Sequence, residues 1–397
     1  MRVCMVAYSF YEGDNRVRRY AETLAKRGDR VDVFSLRQKG QPARGIVNGV
    51  RVFRIQRRVV NEKTKFSYLG RLLLFFMRSM AFLSVEQMKE RYDLVHVHSV
   101  PDFEVFAAIL PKLTGSKIIL DIHDLVPEFY LSKFQSSTRS LTFRLLTRVE
   151  RMSAWFSDHV IAANHIWEKR LRERSVKDSK CTTILNFPDT EIFKARGRTR
   201  TDNKFIILYP GTLNYHQGID IAIRALALIK DQAPEVEFHI YGAGDQLNSL
   251  RELVEELGLE DRVFLKGTKA LHDIASVIEN ADLGVVPKRK NSFGNEAFST
   301  KILEFMSLGV PVVVPDTAID RYYFDDSVVK FFHANDERSL ADAILLMIKN
   351  PELRRKYTRN ASEFVLKYSW DVNKSTYLDL VNSLVQSSNS RVVTEKP

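Results

Sequence analysis

Short apolar runs alternate along the chain with segments whose apolar positions recur every three or four residues. "RVCMVAYS" (2–9) is a near-continuous apolar run, and "NRVRRYAETLAKRG" (15–28) is a helical pattern closed by Gly28. "RVDVFSL", "DLVHVH", "KIILDIH" and "HVIAA" continue the strands, each followed by a polar turn or a helix. This predicts an α/β fold with a parallel sheet covered on both faces. The pattern breaks at residues 186–204, "NFPDTEIFKARGRTRTDNK", which is polar, basic and without apolar period, and reads as an interdomain linker. A second series follows through "FIILYPG", "IDIAIRALALIK", "VEFHIYGAG", "LNSLRELVEELG", "VFLKG", "DLGVVP" and "VPVVVP". Helices are then predicted over "DERSLADAILLMIKN", "NASEFVLKYS" and about 370–385, with "QSSNSRVVTEKP" as a frayed tail.

The two halves echo each other as Rossmann-like units, and 397 residues suit two cores better than one. The expected division is a first domain over 1–190 and a second over 204–369. One segment stands out. Residues 68–85, "YLGRLLLFFMRSMAFLSV", are intensely apolar yet carry Arg71 and Arg78, which disfavours a bilayer span. The segment reads either as an interfacial amphipathic helix, with Arg57, Arg58, Lys63 and Lys65 upstream to meet headgroups, or as a core helix. The two readings are compatible, one face each.

Composition is that of a globular protein, 45% hydrophobic and 27% charged. Cys4 and Cys181 make neither a disulfide framework nor a metal cluster, which fits a reducing, cytoplasmic setting. Met1–Phe10 reads as a buried strand and not as a signal peptide. The net charge of +11 is unevenly spread: residues 1–200 hold 37 basic against 21 acidic residues, and residues 201–397 hold 23 against 28. The basic half suits an anionic membrane surface or an anionic acceptor, though a merely solvated charge remains open. Nucleic acid is disfavoured because no zinc-finger spacing, RNP-like aromatic motif or helix-turn-helix is present.

The candidate chemistry centres on "NSFGNEAFSTKILEFMSLGVPVVVPD" (291–316). Gly309 followed by Val310-Pro311 ends a helix that Ser299 or Thr300 can cap. Its N-terminus is a ready anion site, and Lys301 in its first turn opposes the macrodipole unless it too reaches an anion. Glu304, just over a turn inside, could accept both hydroxyls of a ribose, and Glu296 in the preceding loop could hold hydroxyls of whatever the phosphate carries. The alternative is a wet stripe of Lys301, Glu304 and Ser307. In the first half, His98 and His123 follow strands and so fall where open parallel sheets bind ligands. His98 could equally be a satisfied structural histidine. The loop Tyr11–Arg16, with Gly13, Asp14 and Asn15, reads as a phosphate or acceptor loop, or as a plain turn with Asp14 capping a helix. No Asp-x-Asp is placed for a metal, and no strand-linked G-x-G-x-x-G supports a dinucleotide oxidoreductase.

These pieces in this order resemble the retaining GT-B glycosyltransferases of family 4. "EAFSTKILEFMSLGVPVV" is similar to the family's Glu-x7-Glu motif, "LNFPDTEIF" to its linker, and "YPGTLNYHQGIDIAIRALALI" to its glycine-bounded loop. "FHIYGAGDQLNSL" resembles its Gly-x-Gly turn at Gly242 and Gly244, and "VFLKGTKALHDIASVIENADLGVVP" the strand, loop and helix before the motif. "DNRVRRYAETLAKRG" and "VHVHSVPD…IILDIHDLVPEFY" look like a bacterial polysaccharide-assembly branch. The resemblance covers nearly the whole chain. It implies two Rossmann-like domains facing across a cleft, the helix after Trp370 (about 370–386) crossing back to the first. It further implies a nucleoside diphosphate sugar donor, a lipid-linked or glycan acceptor in cell-surface polysaccharide assembly, transfer with retention, no cofactor and no metal. A peripheral position on the cytoplasmic membrane face follows from the same likeness.

The resemblance implies that His123 contacts the donor sugar or leaving group, with Asp124 and Glu128 orienting it or the acceptor, and that backbone around Lys266 to Lys269 selects the base. One departure matters. The family's loop carries Arg and Lys for the diphosphate, and here Thr212 and Gln217 stand in their places between Gly211 and Gly218. Lys301 and the helix N-terminus, helped by Lys288 or Arg289, are the expected compensation. Two other readings stay open: a nucleotide-sugar epimerase or hydrolase of the same fold, and a non-catalytic nucleotide-sugar-binding subunit.

Overall fold

The computed structural model describes the backbone of residues 1–58, 65–134 and 137–393, which leaves Lys63 outside the described residues. It contains two compact units. One comprises Met1–Tyr130, Ser136–Asn186 and Asn373–Pro397; the other comprises Leu131–Gln135 and Phe187–Val372.

Among the described residues the first unit holds eight strands: β1 (Arg2–Ala7), β2 (Arg30–Arg37), β3 (Arg44–Val47), β4 (Val50–Arg57), β5 (Leu94–His98), β6 (Lys117–Ile122), β7 (His159–Ala162) and β8 (Cys181–Thr183). They lie in the order β3-β4-β2-β1-β5-β6-β7-β8. All pairings are parallel except β3 with β4, an antiparallel hairpin closed at Asn48-Gly49 with φ of 47° and 82°. That turn is the Asn-Gly type whose twist matches its strands, and the sequence reading did not include the hairpin. β1 is buried along its whole length because both sheet faces are covered. Chain order reverses between β1 and β5, which makes that edge the topological switch point.

The second unit holds β9 (Phe205–Pro210), β10 (Val236–Tyr241), β11 (Val263–Leu265), β12 (Leu283–Val285), β13 (Val312–Pro315) and β14 (Lys330–Phe332). They form an all-parallel sheet in the order β11-β10-β9-β12-β13-β14, a doubly wound topology with its switch point between β9 and β12. Its core is mainly aliphatic with a few aromatic rings, including Ile207, Ile223, Leu226, Phe238, Ile240 and Ile344.

Several boundaries differ from expectation. The helix read from residue 360 begins at Pro351, where proline suits a first helical turn. The closing helix spans Trp370–Val393, beyond the expected end near 385; the last four residues of the expected tail lie outside the described residues. The stretch after Asn186 is irregular but tethered within the second unit. The amides of Arg196 and Gly197 donate to Glu279, those of Thr199 and Arg200 donate to Asn280, and Arg198 and Arg200 pair with Asp282. Hydrogen bonds from loop amides to three consecutive-region side chains hold a segment that has no apolar period of its own.

Candidate functional site

The helix Thr300–Ser307 owes its orientation to packing. Ile302, Leu303, Phe305 and Met306 are buried, and the Phe305 ring lies over Gly284 of β12, where any Cβ would come within 2.7 Å of it. With that face fixed, Lys301 and Glu304 are left on the partly exposed face, and Lys301 lies against Gly211, just past the carboxyl end of β9. Gly309, at φ 70°, ends the helix as expected. The expected cap is absent: Ser299 precedes the helix but makes no side-chain capping bond, and its Oγ is buried without a partner.

Lys301 reaches back over β9. Its Cε occupies the space a side chain on Gly211 would fill, and its Nζ stands 5.6 Å from the centre of the Tyr209 ring. Among the described residues, no carboxylate lies within ion-pairing distance of this ammonium. Burial lowers the Lys301 pKa, opposed by the charge of Glu304; burial raises that of Glu304, opposed by Lys301. A partly buried cation with no carboxylate within ion-pairing distance among the described residues, only the nearby charge of Glu304, is suited to an anionic ligand.

The glycine-bounded loop is tightly laced. Tyr209 donates its hydroxyl to Thr212 O (2.9 Å) and lies 3.0 Å from Gln217 Oε1, while Gln217 Nε2 is 3.0 Å from His216 Nε2. Gln217 therefore anchors the loop as well as facing it. Gly218 sits at φ 66°, with Pro287 O 2.1 Å from where its Cβ would be. The Gly242–Gly244 turn packs backbone to backbone on the same loop: Gly211 N–H donates to Tyr241 O, and Leu213 N–H to Ala243 O. Gly242 N–H donates to Gly267 O, and Lys266 N–H to Ile240 O, so the strand after the turn is held at the same edge. The Lys266 ammonium lies 5.4 Å from the Phe264 ring centre. Glu296 ends a turn in which its N–H donates to Phe293 O (3.0 Å), ahead of the helix.

Two expected helpers are committed elsewhere. Lys288 is buried, 3.0 Å from Asp320 Oδ2, and donates to Ala297 O at 2.8 Å. Arg289 pairs with Asp220, donates to Tyr215 O and stacks on the Tyr215 ring at 4.2 Å. Both cations brace the loop walls, because a buried charge is held only by a paired one. Lys301 is left as the cation that could compensate for Thr212 and Gln217.

In the first unit a cavity of about 250 Å³ opens at the switch point, lined by Tyr8, Ser9, Asp14, His98, His123 and Asp124 among others. Beneath it is a residue the sequence reading did not single out. Asp121, fully buried on β6, accepts from Arg16 Nε (2.8 Å) and Nη2 (2.7 Å) and lies 3.1 Å from His98 Nδ1 and 2.9 Å from His123 Nε2. The charges of Arg16 and His123 hold its carboxyl well below the usual range against the opposing effect of burial. With Nε2 on Asp121, His123 keeps Nδ1 for the cavity, and it is the partly exposed histidine of the pair. Burial lowers the pKa of His98 and, more strongly, of His96, whose Nδ1 is 3.0 Å from the Tyr377 hydroxyl. His98 lines the cavity, bonded through Nδ1 to Asp121, while its buried Nε2 has no partner among the described residues. Asp124 also lines the cavity, and burial raises its pKa.

Three first-half expectations are corrected. Asp14 caps the helix Asn15–Lys26, accepting from Arg16 N–H and Val17 N–H at 3.1 Å, as the capped-turn reading expected. Gly13 and Asn15 do not line the cavity, though Asp14 does. Glu128 is buried against Arg174 (2.6 and 2.9 Å) and Arg170 (3.2 Å), an ion-pair hub away from the cavity. His96, His98 and Asp121 could geometrically approach one cation, but the Arg16 guanidinium already supplies the positive charge there.

Two doubly wound parallel-sheet units with sites at their switch points define a GT-B-type α/β protein. Comparison with known proteins makes the class specific. The model described as "Glycosyl transferases group 1" matches residues 191–364, and "Glycosyltransferase Family 4" matches 14–192. Alpha-D-kanosaminyltransferase of Streptomyces kanamyceticus is 31% identical over 299 residues, covering 69% of this chain and 73% of that protein. Phosphatidyl-myo-inositol mannosyltransferase of Mycobacterium leprae is 29% identical, covering 76% of each. Among solved structures, sucrose-phosphate synthase from Thermosynechococcus elongatus superposes with a TM-score of 0.80 at 19% identity, covering 98% of this chain and 100% of that one. The chain belongs to the family 4, group 1 glycosyltransferases.

Proposed function

We propose that the chain transfers a glycosyl unit from a nucleoside diphosphate sugar to a lipid-linked or glycan acceptor, with retention of anomeric configuration and without a metal. The observation that carries the donor half is Lys301, a buried ammonium at a helix N-terminus with no carboxylate within ion-pairing distance among the described residues. The diphosphate meets Lys301 and the N–H groups of Thr300–Ser307; a ribose meets Glu304, and the sugar meets Glu296. HepE from Anabaena, of the same fold, is solved with UDP-glucose, which supports a donor of this class.

Catalysis in this reading is positioning and charge stabilisation. Lys301 neutralises charge developing on the leaving diphosphate, which takes over the role of the family's missing Arg and Lys at Thr212 and Gln217. The acceptor oxygen attacks on the face from which the diphosphate departs. His123, with its Nε2 on Asp121, offers Nδ1 to a sugar or leaving-group hydroxyl. The relatives support a glycolipid or polysaccharide product: one is a phosphatidyl-myo-inositol mannosyltransferase and another a GDP-mannose:cellobiosyl-diphosphopolyprenol alpha-mannosyltransferase.

Product analysis tests this directly. Incubated with donor and a polyprenyl diphosphate sugar or phosphoinositide acceptor, the protein is expected to give a product with the donor's anomeric configuration by NMR, at the same rate with chelator present. Inversion or loss of turnover on chelation would overturn those parts. Release of free sugar with no dependence on any acceptor would favour the hydrolase reading.

A further inference from the structure

Glu296 sits in a turn outside any helix or strand, and the residues around it are fastened to one short helix, Ala318–Tyr323. On one side, Asn295 accepts from Ala318 N–H through Oδ1 (2.9 Å) and from Ile319 N–H through its carbonyl (3.0 Å). On the other, the Phe298 ring meets Tyr323 edge-on at 4.9 Å and stacks towards Phe324, the residue after the helix, at 6.0 Å. Between these tethers the Ala297 carbonyl accepts from Lys288 Nζ at 2.8 Å. Lys288 is in turn held 3.0 Å from Asp320 Oδ2 of the same helix.

Neither charge of that pair meets solvent. Lys288 is 4% exposed and Asp320 is fully buried. Asp320 Oδ2 takes both Lys288 and the Thr317 hydroxyl, while Oδ1 is buried without a partner among the described residues. Burial lowers the Lys288 pKa and raises that of Asp320, each opposed by the other's charge. A buried ion pair with an unsatisfied oxygen adds little stability over apolar side chains of similar volume, because desolvation offsets the attraction. What apolar side chains could not supply is a donor aimed at Ala297. A carbonyl in an irregular turn must find its partner outside helix and sheet ladders, and here the lysine is that partner.

The same strip of chain reaches the opposite wall of the site. Arg289 N–H donates to His216 O at 2.9 Å, and Pro287 O lies against Gly218. Lys288 therefore ties the glutamate turn to the segment that also holds the glycine-bounded loop.

We infer that Lys288 and Asp320 are positioning residues for Glu296, setting where the carboxylate stands relative to the diphosphate site and so how the donor's sugar is held. The role rests on the reading of Glu296 as the sugar contact. It is selective. Lys301 is placed by Gly211, and Glu304 by the packing of its own helix, so the nucleotide's share of binding does not depend on the pair.

The test compares wild type with Lys288→Met/Asp320→Leu, which removes both charges and the Ala297 donor while keeping the volume filled. Asn295→Ala cuts another tether without touching a buried charge. Dissociation constants are measured for UDP against UDP-glucose and for GDP against GDP-mannose. The nucleoside diphosphate constant is expected to stay within about twofold of wild type in both variants. That of the sugar conjugate should rise about tenfold in the double variant and about threefold in Asn295→Ala, with kcat falling by more than KM rises. In the ligand-free double variant, amide hydrogen exchange at Asn295, Glu296 and Ala297 should quicken while the helix Thr300–Ser307 keeps its protection. Equal losses for nucleotide and conjugate, or unchanged exchange in the turn, would overturn the proposal, because the pair would then only stabilise the unit. A thermal midpoint confirms folding, and if the double variant does not fold, the same ratios in Asn295→Ala decide. Glu296→Gln separates the two readings. A conjugate advantage lost in Glu296→Gln but kept in the double variant overturns the positioning role alone. One kept in Glu296→Gln removes Glu296 as the sugar contact, and this inference with it.

Discussion

Lys301 of the helix Thr300–Ser307 and Gly211 at the end of β9 share one volume: a Cβ built on Gly211 would stand 2.2 Å from Lys301 Cε and 3.0 Å from Nζ. Gly211 is also at φ 152°, outside the range that side chains adopt readily. The glycine therefore sets where the cation stands, and through it where a diphosphate can bind.

Gly211→Ala must push Lys301 away or strain the loop. The expected result is a stability loss of about 1–3 kcal/mol by denaturant titration, with nucleoside diphosphate binding weakened at least about tenfold. Binding at wild-type strength would show that Lys301 is not held in place by this contact.

Asp121 carries the Arg16 charge beneath the first-unit cavity. Its folded-state pKa is depressed, so its stabilising contribution is complete above the unfolded value of about 4 and is lost as pH falls through the folded value. Asp121→Asn leaves the Arg16 cation without its counter-ion and is expected to destabilise by about 3 kcal/mol at neutral pH. Its melting temperature should then depend less on pH below about 4 than that of wild type. Parallel acid melting curves would contradict this.

Glu104 gives the opposite sign. It is buried beside the helix Lys65–Lys89 and desolvation raises its pKa to about 8. A carboxyl with a raised folded pKa stabilises most below its unfolded value, and the contribution is lost as pH rises towards that folded value. Glu104→Gln, which cannot ionise, should melt higher than wild type at about pH 8 by an amount on the order of 1–3 kcal/mol. The gap should narrow as pH is lowered.

Glu128 is expected to matter for folding and not for ligand. Glu128→Ala breaks its bonds to Arg174 and Arg170 and should destabilise by about 3 kcal/mol. The dissociation constant for nucleoside diphosphate should not change. A selective loss of acceptor use in a protein of normal stability would return Glu128 to the site.

Much of the fold was legible because buried parallel strands are continuous apolar runs, and "RVCMVA", "FIILYP" and "VVVP" look alike for that reason. The hairpin at Asn48-Gly49 carried its own turn signal in "VNGV" and was overlooked. In the second unit Glu296, Lys301 and Glu304 lie within nine residues, so one window displays them together. The first-unit cluster is different in kind. Arg16, His98, Asp121 and His123 come from the ends of two strands and a helix start, and 105 positions separate Arg16 from Asp121. Local spacing ranks His123 and Asp124 but gives no hint that Asp121 is the centre. The same limit misassigned Glu128, whose partner Arg174 lies 46 positions away, and Lys288, in the loop after β12, whose partner Asp320 sits on the helix Ala318–Tyr323. Pairing of charges across a fold is a tertiary fact, and single-sequence patterns carry little of it.

The most direct measurement is nucleoside diphosphate binding by thermal shift and titration, using UDP, GDP, ADP, CDP and TDP on wild type, Lys301→Ala and Glu304→Ala. One nucleotide is expected to raise the wild-type midpoint by several degrees, with affinity lost at least about tenfold in each variant. A nucleotide that stabilises both variants as well as it stabilises wild type would contradict the assignment of Lys301 to the diphosphate and Glu304 to the ribose.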